Sequence, residues 1–446
     1  MKKLMILAAT FAALAASAAV TITDVSARQR WPWNGLVDID FTISGAAAGE
    51  AFAIDIDATA SAGTIPLNAK TYAVEPVAGV GTNRIVWDLA ADYPEFRAND
   101  LRISVTATPI SSDKAIYMVI DLSGGSTATK YPVRYTTQAP AHVQGAANEP
   151  CQTTELWMRR IVAPDFAFSV NSYTVSTTQK DSFYGKMTKD YYIGVFELTQ
   201  KQYQLVMGSW PNSWFTNELY RASRPLEALK FNTLTGTRDD TQASPSSITA
   251  SSFLGKIRSK TGLPINMPSN IQLNFAQRGG TRLQSDSAFY CYAVNGSIPS
   301  DKAPYCRCRD NVATTSPERD CDVNSGTAYV GSYPPNGYGL YDTIGNVREY
   351  TAEYPYNQGY KAYYQARFDD STIGLSMENP VVDPPGVLQS EASTTTGWIR
   401  KSRDGAFNYL ASNFNLWTSE NIDSSNSDGS SNLKEVGLRL AFTCEE

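Results

Sequence analysis

A single histidine, His142, is all that a chain of 446 residues contains. Ser–His–Asp hydrolysis, Cys–His proteolysis, His-ligated zinc and facial-triad iron each need histidines at a built site. His142 falls in Gln138-Ala-Pro-Ala-His-Val-Gln-Gly-Ala-Ala, a stretch of small residues that reads as linker. Those chemistries are therefore set aside. Charge is also scarce, at 18% of residues, below the usual quarter. With 42% hydrophobic residues, this argues against coiled coil, helical bundle and disorder alike. No basic run occurs, and 44 acidic residues outnumber 38 basic ones, a poor endowment for binding nucleic acid. Beyond the N-terminus no apolar run is long enough to span a bilayer.

What is abundant is Gly, Ser, Thr, Asn and aromatic surface, with 25 Tyr, 17 Phe and 8 Trp. That is a β-rich and loop-rich balance, with apolar material for two or three packed domains. Residues 1–18 read as a bacterial-type secretory signal. Lys2 and Lys3 supply the positive end, Leu4 to Leu14 the apolar stretch, and Ala16-Ser17-Ala18 the small-x-small cleavage pattern. Removing the leader takes 38 basic residues to 36 against 44 acidic ones, a net charge near −8. The expected location is periplasmic, cell-surface or fully secreted. Six cysteines (Cys151, Cys291, Cys306, Cys308, Cys321 and Cys444) suit an oxidising compartment. Cys306-x-Cys308 is spaced too closely for a usual zinc site, so disulfides are expected, stapling the loop 291–321. Cys151 and Cys444 pair if the ends of their domain meet.

Residues 19–112 show the two-residue alternation of strands. Val37, Ile39, Phe41 and Ile43 alternate with Asp38, Asp40 and Thr42, and Phe52, Ile54 and Ile56 with Ala53, Asp55 and Asp57. These strands predict an all-β sandwich of immunoglobulin-like type, its aspartates on solvated outer faces. Residues 113–150 read as a strand pair followed by a linker. Residues 151–446 mix loops with two helices, Gln200–Met207 after the N-cap Thr199, and Pro268–Arg278 ended by Gly279-Gly280.

Five segments in this second region carry a resemblance when taken in order. They are Tyr191-Tyr-Ile-Gly-Val-Phe-Glu-Leu-Thr-Gln-Lys-Gln-Tyr, Arg224-Pro-Leu-Glu-Ala-Leu-Lys-Phe-Asn, and Thr261-Gly-Leu-Pro-Ile-Asn-Met-Pro-Ser running to Ala276-Gln-Arg-Gly-Gly. Pro335-Asn-Gly-Tyr-Gly-Leu-Tyr-Asp-Thr-Ile-Gly-Asn-Val-Arg-Glu-Tyr follows, then Arg403-Asp-Gly-Ala-Phe with Val436-Gly-Leu-Arg-Leu. The set resembles the formylglycine-generating enzyme family, or sulfatase-modifying factors. The resemblance implies an α+β variant of the C-type-lectin fold over residues 151–446.

Asp342 and Glu349 offer carboxylates, and Gly345 lets the chain turn so that the Gly345 and Val347 carbonyls face one point, a set of hard oxygens suited to Ca²⁺. The resemblance implies structural calcium at these four positions, with Asp342 where the family commonly has Asn. Asn311, Val312, Asp322 and Asn324 echo the family's second calcium site with altered spacing. Members that make formylglycine carry a copper-binding cysteine pair, and aligning on Gly405 puts Tyr409 and Phe414 at those positions, with Ala406 in place of Ser. No copper is expected, since neither ring replaces a thiolate. The related sulfoxide synthases need histidines that this region lacks. Paired-carboxylate hydrolysis through Glu353, Asp369 and Asp370 is outweighed by their reading as surface residues.

From Asn408 to Asn432, Asn and Ser are interleaved with aromatics, a mixture of adaptable hydrogen bonding and rigid surface that binding loops favour. Asn408, Tyr409, Asn413, Phe414 and Trp417 are the expected ligand face, for glycan or protein. The tyrosines 354, 356, 360, 363 and 364 either stack on sugars or pack the loops. The expectation is a non-catalytic, calcium-stabilised binding or structural module, with a formylglycine-generating oxidase acting on a sulfatase-type substrate as the alternative.

Overall fold

The computed structural model describes residues 20–30, 35–46, 50–60, 63–73, 76–98, 100–110, 116–173, 180–236, 248–280, 288–292, 298–314, 316–356, 359–387, 399–414, 419–423 and 428–444. The leader at 1–18 and Trp417 lie outside them. Strand alternation in the N-terminal region resolves into two groups. Thr21–Gln29, Leu36–Ser44 and Gly81–Asp88 pair antiparallel in that order. Ala51–Ala60 pairs antiparallel with Ile65–Asn68, Val77–Gly79 and Arg102–Ile110. Val37, Ile39, Phe41 and Ile43 from one group and Phe52, Ile54 and Ile56 from the other share one core with Trp87, as a period of two demands when one strand face is buried. The aspartates behave unequally. Asp55 and Asp57 are exposed, as expected. Asp38 is instead buried and paired with Arg28 and Arg30, and Asp40 is paired with Arg84.

A single sheet continues from this region into the next. Asn83 meets Val133 in parallel; Val133–Thr136 pairs with Tyr117–Asp121, and that strand with Glu155–Ile161. Tyr191–Gly194 and Ala441–Thr443 complete the run. The final strand comes from the C-terminus, so the last residues of the chain close against residues 250 positions earlier. The segment before Pro150, read as linker, is held down. Asn148 N donates to Ser223 Oγ, and the His142 ring lies against Phe196 and Tyr341.

Helices are few and short. Gln200–Met207 starts at Thr199, which with Gln202 forms a reciprocal cap, and stops at Gly208 in the left-handed region. Asn270–Gln277 starts at Ser269 with the same device through Gln272. Phe253–Thr261 and Tyr360–Arg367 join them. Two small sheets carry the rest: Phe168–Tyr173, Lys180–Lys186 and Val381–Val382, and Ser419–Asp423, Ile399–Arg403, Arg348–Tyr350 and Val436–Gly437. Among the described residues no helix is long and apolar enough to cross a membrane.

Candidate functional site

The second small sheet gathers residues that are distant in sequence. Glu349 lies on Arg348–Tyr350, Asp404 directly follows Ile399–Arg403, and Arg439 follows Val436–Gly437. The loop entering Glu349 is tightly wound, with positive φ at Asp342, Gly345 and Asn346 (52°, 81° and 58°). Gly345 is required there. A Cβ on it would lie 2.3 Å from the Arg307 carbonyl oxygen.

Four carboxylates, Glu197, Asp342, Glu349 and Asp404, end up buried around one guanidinium, Arg439. Arg439 Nε and Nη2 grip both oxygens of Glu349 at 2.8–3.1 Å, while Nη1 and Nη2 also donate to the carbonyls of Gly194, Val195 and Tyr341. Glu197 accepts from Asn346 Nδ2 and from the Val347 amide. Asp342 Oδ2 accepts from the Gly331 amide at 2.6 Å. Its Oδ1, and both oxygens of Asp404, are buried without a hydrogen-bond partner. Burial raises all four carboxyls, and like charge adds to it at Glu197, Asp342 and Asp404. Asp342 is pushed up to about 6. Glu197 rises well above its ordinary range through burial and then Asp342 and Glu349, and Asp404 through burial against the pull of Arg403.

Of the four expected calcium ligands, Asp342 therefore keeps a free oxygen, whereas Glu349 is clasped by Arg439. The other expected set diverges further. Ala313 N donates to Asn324 O, which brings its halves together. Arg307, however, donates to the carbonyls of Asn311, Val323 and Gly326. Asn311 Oδ1 accepts from the Cys308 amide, and its Nδ2 donates to Ala303 and Cys306. Of the four expected residues Arg307 thus holds the Asn311 carbonyl, while its other acceptors, Val323 and Gly326, lie outside the set.

The expected ligand face divides as well. Asn408 and Tyr409 are half-buried, and Asn413 is exposed. Phe414 is not available to a ligand: it is 2% exposed and packs with Phe289, Ile344 and Ala411. The tyrosine run is core too, since Tyr354, Tyr360, Tyr363 and Tyr364 are buried. Glu353, expected at the surface, is buried and accepts from the Asn270 amide at 2.9 Å; burial raises it to about 7. Asp369 is exposed.

All six cysteines are free thiols. Cys151 lies beside Glu149, whereas Cys444 faces Arg160 and Asp190, so the expected pairing of the two is not formed. Cys306 and Cys308 share a thiol hydrogen bond and lie in the cluster of Phe414, with Cys291 packed against it. The loop they were expected to staple is fastened by Arg307 and by Arg224, whose Nη2 donates to the carbonyls of Asp322 and Ser325.

Glu197, Asp404 and Arg439 were missed as site residues. For Glu197 and Arg439 a signal was present. Glu197 follows Val195-Phe196, and Arg439 interrupts Val436-Gly-Leu with Leu-Ala-Phe after it. A charge within an apolar run is commonly buried, and a buried charge needs a partner.

The family described as "Sulfatase-modifying factor enzyme 1-like domain" matches residues 184–442. Among solved structures, Treponema denticola variable protein 1 aligns at 19% identity with a TM-score of 0.42, covering 69% of this chain and 100% of its own. PvdO from Pseudomonas aeruginosa aligns at 16% identity with the same TM-score, 0.42, and the same coverage, 69% and 100%. No curated protein matches the chain.

Proposed function

The chain belongs to the sulfatase-modifying factor enzyme 1-like family through residues 184–442, and from that premise we propose that it is a non-catalytic binding or structural module acting outside the cytoplasm. The observation that carries this is Phe414. Its ring fills the space beside Gly405, so that a Cβ on that glycine would lie 2.3 Å from it. At the positions read as those of the copper-binding cysteines there is one buried ring and one half-buried tyrosine, and neither supplies a thiolate. The ligand is glycan or protein, met by Asn408, Tyr409 and Asn413 with Trp417. The paired strand groups around one apolar core support an immunoglobulin-like sandwich at the N-terminus, and the small sheets with few helices support a C-type-lectin-like second domain. The leader supports export to the periplasm, the cell surface or the medium.

Calcium is proposed as a stabiliser at Asp342, Gly345, Val347 and Glu349. The unpartnered Asp342 Oδ1 supports it, as does the surplus of carboxylates over Arg439. The ion would supply the divalent charge that this surplus lacks, while Arg439 keeps its hold on Glu349.

One observation favours the oxidase instead. Cys291, Cys306 and Cys308 lie in the same apolar cluster as Phe414, so thiols are near even though the aligned positions lack them. A peptide-oxidation assay separates the two. The mature protein is incubated with a Cys-x-Pro-x-Arg peptide, copper and oxygen, and the product is weighed by mass spectrometry beside an active enzyme of the family. No conversion is expected. Formylglycine above the protein-free control would make the chain an oxidase.

A further inference from the structure

His142, read from sequence as an unremarkable linker residue, is a buried ring in a set of three metal-ligating side chains. Its side chain is 1% exposed. Nε2 lies 2.9 Å from the Gly331 carbonyl oxygen, and a carbonyl only accepts, so Nε2 carries the proton and donates. Nδ1 points the other way, where it shares a proton with Glu149 Oε2, and the ion would take the place of that proton. Cys151 Sγ lies 3.8 Å from the same carboxylate oxygen. The ligating atoms of His142, Glu149 and Cys151 all lie within 4.8 Å of one another.

We propose that His142 Nδ1, Glu149 Oε2 and Cys151 Sγ hold one divalent ion of the zinc class. The donor set is nitrogen, oxygen and sulfur, which borderline-soft Zn²⁺ accepts and which hard Ca²⁺ does not. Thiolate and carboxylate together cancel the charge of the ion, while the imidazole stays neutral, so the complex adds no net charge to a buried position. Loading releases the thiol proton to solvent, and that on Nδ1 where the ring is protonated.

The surroundings already have the form that orients metal ligands. The Nε2–H bond to a backbone carbonyl fixes both tautomer and ring direction. Phe196 and Tyr341 pack edge-on to the imidazole at 5.1 and 5.0 Å. Glu149 Oε1 accepts from the Val143 amide at 3.1 Å, which leaves Oε2 for the ion. Glu149 immediately precedes the short helix Pro150–Thr153 that carries Cys151, so two ligands share one turn. Cys151, alone of the three ligands, also lines a cleft of about 740 Å³ with Trp157, Thr136 and Pro150. This set is distinct from the oxygen cluster around Arg439, although the Gly331 peptide touches both, since its amide donates to Asp342.

The test uses the mature protein after dialysis against a chelator, titrated with Zn²⁺ and with Co²⁺ as a spectroscopic probe. One equivalent is expected to bind, and the cobalt form to show a near-ultraviolet thiolate charge-transfer band. Cys151→Ser should abolish the band and weaken zinc by about 100-fold or more. X-ray absorption at the zinc edge of the unaltered protein should find one sulfur among nitrogen and oxygen ligands, a result that does not depend on any variant folding. No binding, a first shell with no sulfur, or one with two sulfurs (which would point to Cys306 and Cys308) would overturn the proposal.

Discussion

Arg439 holds both carboxylate oxygens of Glu349 with neither side chain exposed to solvent. The pair bridges the strand Arg348–Tyr350 and the segment after Val436–Gly437, and the same guanidinium gathers three carbonyls from two other stretches. Four pieces of chain thus converge on one side chain. Arg439→Met should therefore unfold the second domain or cost it about 3–5 kcal/mol, because Glu349 would be left buried and unpaired. Arg439→Lys should be nearly as harmful, since an ammonium cannot reproduce the planar fork. Urea denaturation of both variants checks this, and a melt unchanged by Arg439→Lys would contradict it.

Calcium binding predicts a conditional effect. At millimolar affinity, a tenfold excess of calcium over the dissociation constant adds about 1.4 kcal/mol, a rise of roughly a few degrees in melting temperature. Asp342→Ala removes both carboxylate oxygens, where Asn, the family's common residue at this position, would keep one. It should erase the response to calcium, and in chelator it should cost only the hydrogen bond from the Gly331 amide. A calcium response that survives in Asp342→Ala would refute the assignment.

How much of this was legible in the sequence depended on the reach of the interaction. Gln200–Met207 was placed from its cap and its periodicity, and the inward faces of Leu36–Ser44 and Ala51–Ala60 from alternation. Each of those signals lies within a few residues. Asp38 and Glu353 were misplaced because their burial is made tolerable by partners elsewhere, Arg30 in one case and the Asn270 amide in the other. The cysteines invited a disulfide reading that spacing alone could not test. The fastening of loop 291–321 is done by Arg307 and Arg224, whose targets are backbone carbonyls, and carbonyls leave no trace in a sequence. His142 was set aside for its small neighbours, although Gly331, its hydrogen-bond acceptor, lies 189 residues away.

Phe414 and Tyr409, five residues apart, should respond in opposite ways to removal. Phe414→Ala opens a cavity beneath Gly405 and Phe289, which should destabilise the domain by about 3–5 kcal/mol. Tyr409→Ala trims a half-buried ring lying 5.7 Å from the Arg348 guanidinium, and should cost about 1 kcal/mol or less. If the surface at Asn408, Tyr409 and Asn413 takes a ligand, Tyr409→Ala should lose capture on a glycan array while its melting curve stays near that of the parent. Equal stability losses in the two variants would mean that the half-buried ring is core.

Glu353 makes stability fall as pH rises. Burial lifts its carboxyl from 4.5 to about 7, against the Asn270 amide, Arg403, Tyr360 and Lys401, which favour the charged form. Below pH 4.5 the folded and unfolded chains both carry the proton. Between 4.5 and 7 the unfolded chain gives it up while the folded chain keeps it, so the folded state binds more protons and each step upward in pH favours unfolding. Above 7 both are ionised and the contribution levels off, at a total of about 1–3 kcal/mol. Glu227 adds to the same window. Burial also raises it to about 7, opposed by the Trp214 and Phe215 amides, Arg224 and Ser213. Glu353→Gln removes one of these titrations, while Glu227 and Asp342, which is pushed up to about 6, keep theirs. It should match the parent at pH 5 and exceed it in melting temperature at pH 8, with a shallower slope between. A slope unchanged by Glu353→Gln would mean that the carboxyl is already ionised in the folded protein, held so by Arg403.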